Sequence, residues 1–402
     1  MPSPIAHGQQ HTFFRLWRSL APFVRTDRDL PARVAAALRR REFGARDRRL
    51  YRELIYTALR YLPWMEELGA RADDPAVRAI AWLAADLPAT RAFREALAPD
   101  APPLPPAIAA RATHLGVASG LIPAWFRDHC AAAFVSPNLE ALHTRAPLWI
   151  RLQTGDPAAV LAEFADRNWS CRPSAVRPDA VQVLAEADLT TTAACRAGRF
   201  EIQDLGSQLV LGSVGVAPGG RWLDACAGAG GKTLQLARLL GTSGRVDACD
   251  VRAEALAELA RRAKRGGMAN VRIAGETPPE ASYDGVLVDA PCSGSGTWRR
   301  APHLKWCTTP ADVAAHAARQ RELLARFARL VRPGGLLVYA TCSLSRHENE
   351  DVAKAFLSSH SGFSVVPPAH TFAATAGAHG LTILPAQHDT DGFFVSTLRR
   401  AG

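Results

Sequence analysis

From Arg221 onward the chain alternates between short apolar strand-like runs and amphipathic helical stretches, and this alternation constrains the fold more than any other feature. Strands are expected at Arg221–Ala225, Arg245–Cys249, Val271–Ile273, Tyr283–Asp289, Gly335–Ala340 and Gly392–Leu398. Helices are expected at Lys232–Leu240, Ala253–Arg265, Pro310–Val331 and His347–Ser359. Strands alternating with helices give an α/β fold with a parallel, doubly wound sheet, whose ligand sits outside the C-terminal ends of the strands.

The turn after the first of these strands reads Asp224-Ala225-Cys226-Ala227-Gly228-Ala229-Gly230-Gly231-Lys232-Thr233 and opens a helix. Glycines there let the backbone approach a ligand closely. A Walker A loop would need glycine where Cys226 stands, and a full GxGxxG would need it at Thr233. Asp250 ends the second strand, where an acid can hold both hydroxyls of a ribose. A GxG turn alone is often only a tight turn. Paired with that acid, it points to an adenosine-containing cofactor without a diphosphate.

Two cysteines follow two later strands, Cys292 in Asp289-Ala290-Pro291-Cys292-Ser293-Gly294 and Cys342 in Thr341-Cys342-Ser343. Both tips belong at the ligand edge of an open parallel sheet. Two thiols with Asp289 nearby suggest covalent chemistry, because a thiolate is a strong nucleophile at neutral pH and can add to an electron-poor ring carbon. Most cysteines are small buried hydrophobes, and Cys130, Cys171, Cys195, Cys249 and Cys307 are read that way. Cys226 sits in the cofactor turn, where its backbone matters more than its sulfur. Eight cysteines in 402 residues, with no CxxC and no zinc spacing, exclude a disulfide scaffold and suggest a reduced, cytoplasmic protein. No apolar run is long enough to span a membrane, and Met1 to Gln10 lacks the order of a signal peptide.

Residues 11–98 show helical spacing, as in Val34, Ala37 and Leu38, then Leu50, Leu54, Ile55, Ala58 and Leu59. Pro99 to Pro106 breaks the pattern, and helix resumes from Ala107 to about Phe134. These observations predict an all-helical domain over residues 1–140. A small α/β segment follows over 147–200, with a strand at Leu148–Leu152, a helix from Asp156 or Pro157 to about Arg167, and a strand near Val181–Leu184. The formal net charge is +10, and only Lys232, Lys264, Lys305 and Lys354 among 48 basic residues are lysines. Between Arg25 and Arg60 stand 11 arginines against 5 acids. Such a run is either a solvated helix face or a patch that tracks a nucleic-acid backbone.

At this point the motifs become specific. The turn DACAGAGGK, the tip DAPCSG and the tip YATCS stand in the order found in the RsmB/Sun family of bacterial RNA cytosine-5 methyltransferases, which the chain resembles over roughly residues 147–402. Arg299 to Trp306 (RRAPHLKW) resembles that family's basic segment after the first cysteine. Glu201 to Gln208 resembles its lead-in to the catalytic domain, and Asp391 to Phe394 its last strand. Arg46 to Arg60 resembles a helix of the NusB-like domain that such members carry. Ala229 stands where many members have proline, and APHLKW where an HPDIKW-like form is common.

The resemblance implies a Rossmann-like S-adenosylmethionine methyltransferase domain over 201–402, a parallel sheet with an antiparallel last strand. It also implies a small RNA-recognition-like segment before that domain and an all-α NusB-like RNA-binding domain at the N-terminus. Cys342 would be the nucleophile that adds to C6 of cytosine, Cys292 would assist product release, and Asp289 would sit beside the base. Cys226, Ala227, Gly228, Ala229, Gly230, Gly231 and Lys232, with Asp250 and Asp289, would hold S-adenosylmethionine. Glu276 would be either an adenine-side contact or a solvated loop acid. Lys305 would have a specific role or be an ordinary surface charge. No metal is required. The implied partner is RNA, small-subunit ribosomal RNA first and tRNA as the alternative, acted on by a cytoplasmic monomer. A DNA cytosine-5 methyltransferase would use its Pro-Cys as nucleophile and would not need the Thr-Cys-Ser tip. A relict RNA-binding assembly factor would not need Cys292, Cys342, Asp289 and the glycine turn all intact.

Overall fold

The structure is a computed structural model that describes residues 4–70, 73–274 and 280–402. Two compact units emerge, Met1–Arg145 with Thr297–Pro310, and Ala146–Gly296 with Ala311–Gly402.

The first unit is helical. Its helices span Pro4–Leu20, Leu30–Leu38, Ala45–Arg60, Leu62–Gly69, Asp73–Leu83, Pro88–Leu97 and Ile108–Leu115. Proline occupies the first turn of several of them, where the missing N–H has no helical partner to lose. Leu50, Leu54, Ile55, Ala58 and Leu59 all face the core at 1% exposure or less, as their spacing requires. The helix expected to run to Phe134 ends at Leu115. Gly116 adopts a left-handed C-cap there, and short 3-10 turns at Ala124–Asp128 and Ala131–Phe134 take its place.

Residues Thr297–Pro310, read from sequence as part of the 201–402 domain, pack instead in this helical unit. Trp298 lies 4.5 Å from Phe126 ring to ring, and Trp306 Nε1 donates to Leu59 O. Lys305 is buried, with Nζ donating to Arg60 O at 2.9 Å and lying 2.8 Å from His143 Nε2. It is therefore not a surface charge, and burial holds its amine well below the usual lysine range.

The second unit contains two sheets. Strands β1 (Leu148–Leu152), β2 (Cys171–Pro173), β3 (Ala180–Val183) and β4 (Phe200–Ile202) form an antiparallel sheet of order β2-β3-β1-β4. The helix Pro157–Asp166, capped by Asp156, covers it with Val160 and Phe164. The large sheet comprises β5 (Gly220–Asp224), β6 (Gly244–Ala248), β7 (Val271–Ile273), β8 (Tyr283–Asp289), β9 (Val331–Thr341), β10 (Phe363–Val365), β11 (Thr375–Gly377), β12 (Gly380–Ile383) and β13 (Phe393–Arg400).

Its order is β11-β12-β13-β9-β8-β5-β6-β7, with β10 on β13. Strands β5 to β9 are parallel, and β13 is antiparallel to β9. Successive residues face opposite layers, so Trp222 and Leu287 meet Leu236 and Leu240, while Leu223, Val286 and Val288 meet Leu324 and Phe327. The chain winds from β5 to β7 on one side and then crosses to β8 on the other. The tip of β5 is thus the switch point where such sheets bind ligands.

Candidate active site

The β5 tip is shaped by buried polar contacts. Asp224, fully buried, accepts from Thr233 Oγ1 at 2.7 Å and ties the turn to the helix that follows. Burial pushes its carboxyl up to about 7, against the hydrogen bond from Thr233. Gly230 has φ +92°, and a Cβ there would lie 2.2 Å from Leu259 Cδ1, so only glycine closes this turn. Burial also pushes the Cys226 thiol up, keeping its sulfur neutral.

Beside the turn lies a cavity of about 800 Å³, within the size range of small-molecule sites. Of the residues singled out from sequence, Cys226, Ala227, Gly228, Ala229, Gly231, Lys232, Asp250 and Asp289 line it. Gly230 shapes the turn from behind, and Glu276 lies outside the described residues. Val251, Leu323 and Phe327 add an apolar side. Asp250 Oδ2 accepts from the Gly228 amide at 2.8 Å, and Arg252 forks onto the same carboxylate at 3.0 and 3.1 Å. Burial opposes the charge on Asp250, but the bonds from Arg252 and Gly228 outweigh it and hold the carboxyl below its usual range. A glycine-lined cavity with an apolar side and an ionised acid at its edge suits an adenosine, with its flat ring and its ribose diol.

The two cysteine tips converge. Cys292 Sγ and Cys342 Sγ are 3.4 Å apart, and both thiols are free. Gly296 brings the tips together: its amide donates to Cys342 O at 2.9 Å, and a Cβ on it would collide with Gly392 O at 2.0 Å. Lys232 Nζ lies 2.9 Å from Asp289 Oδ2. Burial works against the Lys232 charge, yet Asp289 outweighs it and raises the amine. A hydrogen bond with Cys342, burial and the Glu348 charge push the Cys292 thiol well above its ordinary value.

Sequence reasoning missed Glu348, which is fully buried and bonds to Ser293 and Ser343, the residues after the two cysteines. The available signal was the density of Ser293, Ser295, Ser343 and Ser345 around them, hydroxyls that demand a buried acceptor. It also missed Arg151, whose Nε donates to Gln203 Oε1 at 2.7 Å and whose Nη2 donates to Gly231 O at 3.4 Å. That buried guanidinium joins the small sheet to the cofactor turn. In the helical unit, the run Arg25–Arg60 resolves into distinct parts. Arg60 is buried against Glu53, and Arg25 and Arg33 pair with Glu66 and Asp27. Arg39, Arg40, Arg41, Arg46, Arg49 and Arg52 stay exposed, without an ion pair among the described residues.

A parallel sheet wound this way, with an antiparallel strand inserted beside β9 and a glycine turn at the switch point, is a Rossmann-like α/β fold. Residues 214–399 match the model of the family described as 16S rRNA methyltransferase RsmB/F. It is 35% identical over 259 residues to the "Probable ribosomal RNA small subunit methyltransferase B" of a Synechocystis species, covering 56% of this chain and 58% of that protein. It is 32% identical over 294 residues to ribosomal RNA small subunit methyltransferase B of Xanthomonas campestris, covering 69% and 66%. The chain thus spans less than two thirds of the length of these relatives. The solved structure of PH0851 superposes with a TM-score of 0.73 over 91% of this chain and 93% of its own, at 23% identity, a likeness of fold. Among the described residues, no helix is long and apolar enough to cross a membrane.

Proposed function

We propose that the protein methylates C5 of a cytosine in RNA, with 16S ribosomal RNA as substrate and S-adenosylmethionine as methyl donor. The observation that carries this reading is the pair of sulfurs 3.4 Å apart on two strand tips beside a cavity built for an adenosine. The resemblance of the two tips and the names of the relatives give it direction. S-adenosylmethionine supplies an electrophilic methyl group on a sulfonium.

The chain's residues supply the rest. The Cys342 thiolate bonds to C6, and the C5–C6 π pair moves onto C5. C5, now electron-rich, would take the methyl group of a donor held by the residues of the Cys226 to Lys232 turn and Asp250, the electron pair of the broken carbon–sulfur bond staying on the donor's sulfur. Water removes the C5 proton, the C6–Sγ bond breaks and its pair returns to Cys342. The Cys292 S–H, hydrogen-bonded to that sulfur, stabilises it as it departs. Asp289, held by Lys232, lies at the edge of the base. The target base must leave its stack to reach the sulfurs, so a loosened or single-stranded loop is the expected substrate. The helical unit acts as a NusB-like RNA-binding domain, with the exposed arginines of Arg39 to Arg52 on phosphates. The protein works as a cytoplasmic monomer.

The test is bisulfite sequencing of RNA from cells with and without this protein. Loss of one protected cytosine in 16S RNA is the expected result. Loss of a tRNA position instead would select tRNA as substrate, and an unchanged RNA would reject the activity.

A further inference from the structure

Two carbonyls of the cofactor turn are held from behind by arginines. Arg262 Nη1 donates to Ala229 O at 2.5 Å, and Arg151 Nη2 donates to Gly231 O at the longer distance of 3.4 Å. Neither arginine lines the cavity, so both act on the turn and not on its contents. Arg262 lies on the helix Ala253–Arg265, three residues after Leu259, whose Cδ1 fills the space behind Gly230. Residues three apart share a helix face, so one face presses on the turn at Gly230 and bonds it at Ala229.

Arg262 is itself fixed by the small sheet. Glu201 of β4 stands opposite Arg151 of β1 in the strand register, and its side chain is buried. Its Oε2 accepts from Arg262 Nε at 3.0 Å and from Nη2 at 2.6 Å. Two bonds to the carboxylate set the plane of the guanidinium and leave Nη1 for Ala229 O. Arg265 Nη2 donates to the other oxygen, Oε1, at 3.2 Å, and Arg265 makes no bond to the turn. The stretch Gly228-Ala229-Gly230-Gly231 carries no side chain larger than a methyl, and Gly228 and Gly230 have φ of +52° and +92°. Such a backbone has many alternatives when free. A loop already ordered in its bound form binds tighter, because less freedom is lost when the ligand arrives.

We propose that Glu201 and Arg262 are positioning residues for S-adenosylmethionine, through which the small sheet holds the glycine turn in its binding form before the cofactor arrives. This rests on the cofactor reading of the cavity. It gives the small sheet a part in the methyl-donor site, where the resemblance pointed only to RNA.

The test is titration calorimetry of the full chain with S-adenosylmethionine alone. Arg262→Met keeps the aliphatic stem and removes the fork, and it should weaken binding by about tenfold or more. Arg265→Met removes the neighbouring ion pair on the same carboxylate and should leave the affinity within about twofold. Glu201→Gln should weaken binding as Arg262→Met does, and if it fails to fold the two arginine variants still decide. Hydrogen exchange gives a readout that a purely structural role would not move. In ligand-free Arg262→Met the amides of Cys226 to Lys232 should exchange faster, and saturating S-adenosylmethionine should restore their protection. Unchanged affinity in Arg262→Met, an equal loss in Arg265→Met, or a loss with the exchange of the turn unchanged would overturn the proposal. Failure of the unaltered protein to bind S-adenosylmethionine would be a separate result, rejecting the cofactor reading and the proposal with it.

Discussion

Lys232 Nζ sits 2.9 Å from Asp289 Oδ2 and 5.1 Å from the centroid of the Phe393 ring, so one buried ammonium spans the cofactor turn, the tip of β8 and the start of β13. Because Asp289 raises the amine, Lys232 keeps its charge at all pH values below the ordinary lysine range and loses it only as pH rises past the folded value. Lys232→Ala should cut methyl incorporation by about 10²–10³, as removal of one preorganised charge does, at any pH from 6 to 9. Lys232→Arg should restore little, since a guanidinium fork does not fit the space of a buried point charge. Incorporation of labelled methyl into RNA checks both.

Asp224 carries a stability prediction. Burial raises its carboxyl from 3.8 to about 7, so between those values the folded chain holds a proton that the unfolded chain has released. The contribution is therefore complete below the unfolded value and is lost as pH rises through about 7. A rise of about three pH units is worth on the order of 4 kcal/mol for this fully buried group. Asp224→Asn keeps the shape and a donor like that of the protonated acid. Its advantage in Tm over the unaltered protein should be near zero at pH 4 and reach roughly 5–10 °C at pH 8, followed by calorimetry without cofactor.

Much of the second unit was legible from sequence because its residues are locally decisive. A GxG turn after a strand, an acid ending the next strand and turn residues around two cysteines each specify their own geometry. What stayed hidden depends on long-range packing. Nothing local says that the segment Trp298 to Trp306 buries Lys305 and Trp298 in a helical core, since arginine and lysine usually mark a surface. Glu348 looks like an ordinary acid at a helix start until Ser293, far away in sequence, is brought onto it. The strands β2 and β4 have three residues each, too few for an alternating pattern to register.

Asp250 is expected to bind the ribose diol, and its present partners sharpen the test. Asp250→Ala should weaken S-adenosylmethionine binding by about 1–3 kcal/mol, as for loss of a charged hydrogen bond. Arg252 is mostly exposed and competes for the same carboxylate, so Arg252→Ala should weaken binding far less or strengthen it. Titration calorimetry giving equal losses in both variants would assign the effect to the Gly228 turn instead.

The helical unit offers a charge test free of folding effects. Arg39, Arg40 and Arg41 follow the helix Leu30–Leu38 and are exposed. Replacing all three by alanine should weaken RNA binding and reduce the salt slope of log K by up to about 3, close to 0.9 per lost phosphate contact. Arg60, buried on Glu53, belongs to the fold rather than the patch, so Arg60→Ala should lower Tm and leave the slope of the folded fraction alone. Filter binding at several salt concentrations separates the two.

The pair of sulfurs gives the last prediction. If Cys342 attacks C6, Cys342→Ala cannot bond to RNA and loses methylation. If Cys292 acts only when the product leaves, Cys292→Ala still adds to the base and transfers the methyl group. With the S–H gone from its place 3.4 Å from Cys342 Sγ, the departing thiolate loses its hydrogen bond and the adduct persists. It should run as an RNA-dependent slower band on a denaturing gel, present in Cys292→Ala and absent in the double variant. RNA recovered from that band should carry the methyl group, because the stall comes after transfer. The order of roles found in DNA enzymes, with Pro-Cys as nucleophile, predicts the opposite. Adducts in Cys342→Ala and none in Cys292→Ala would exchange the two roles.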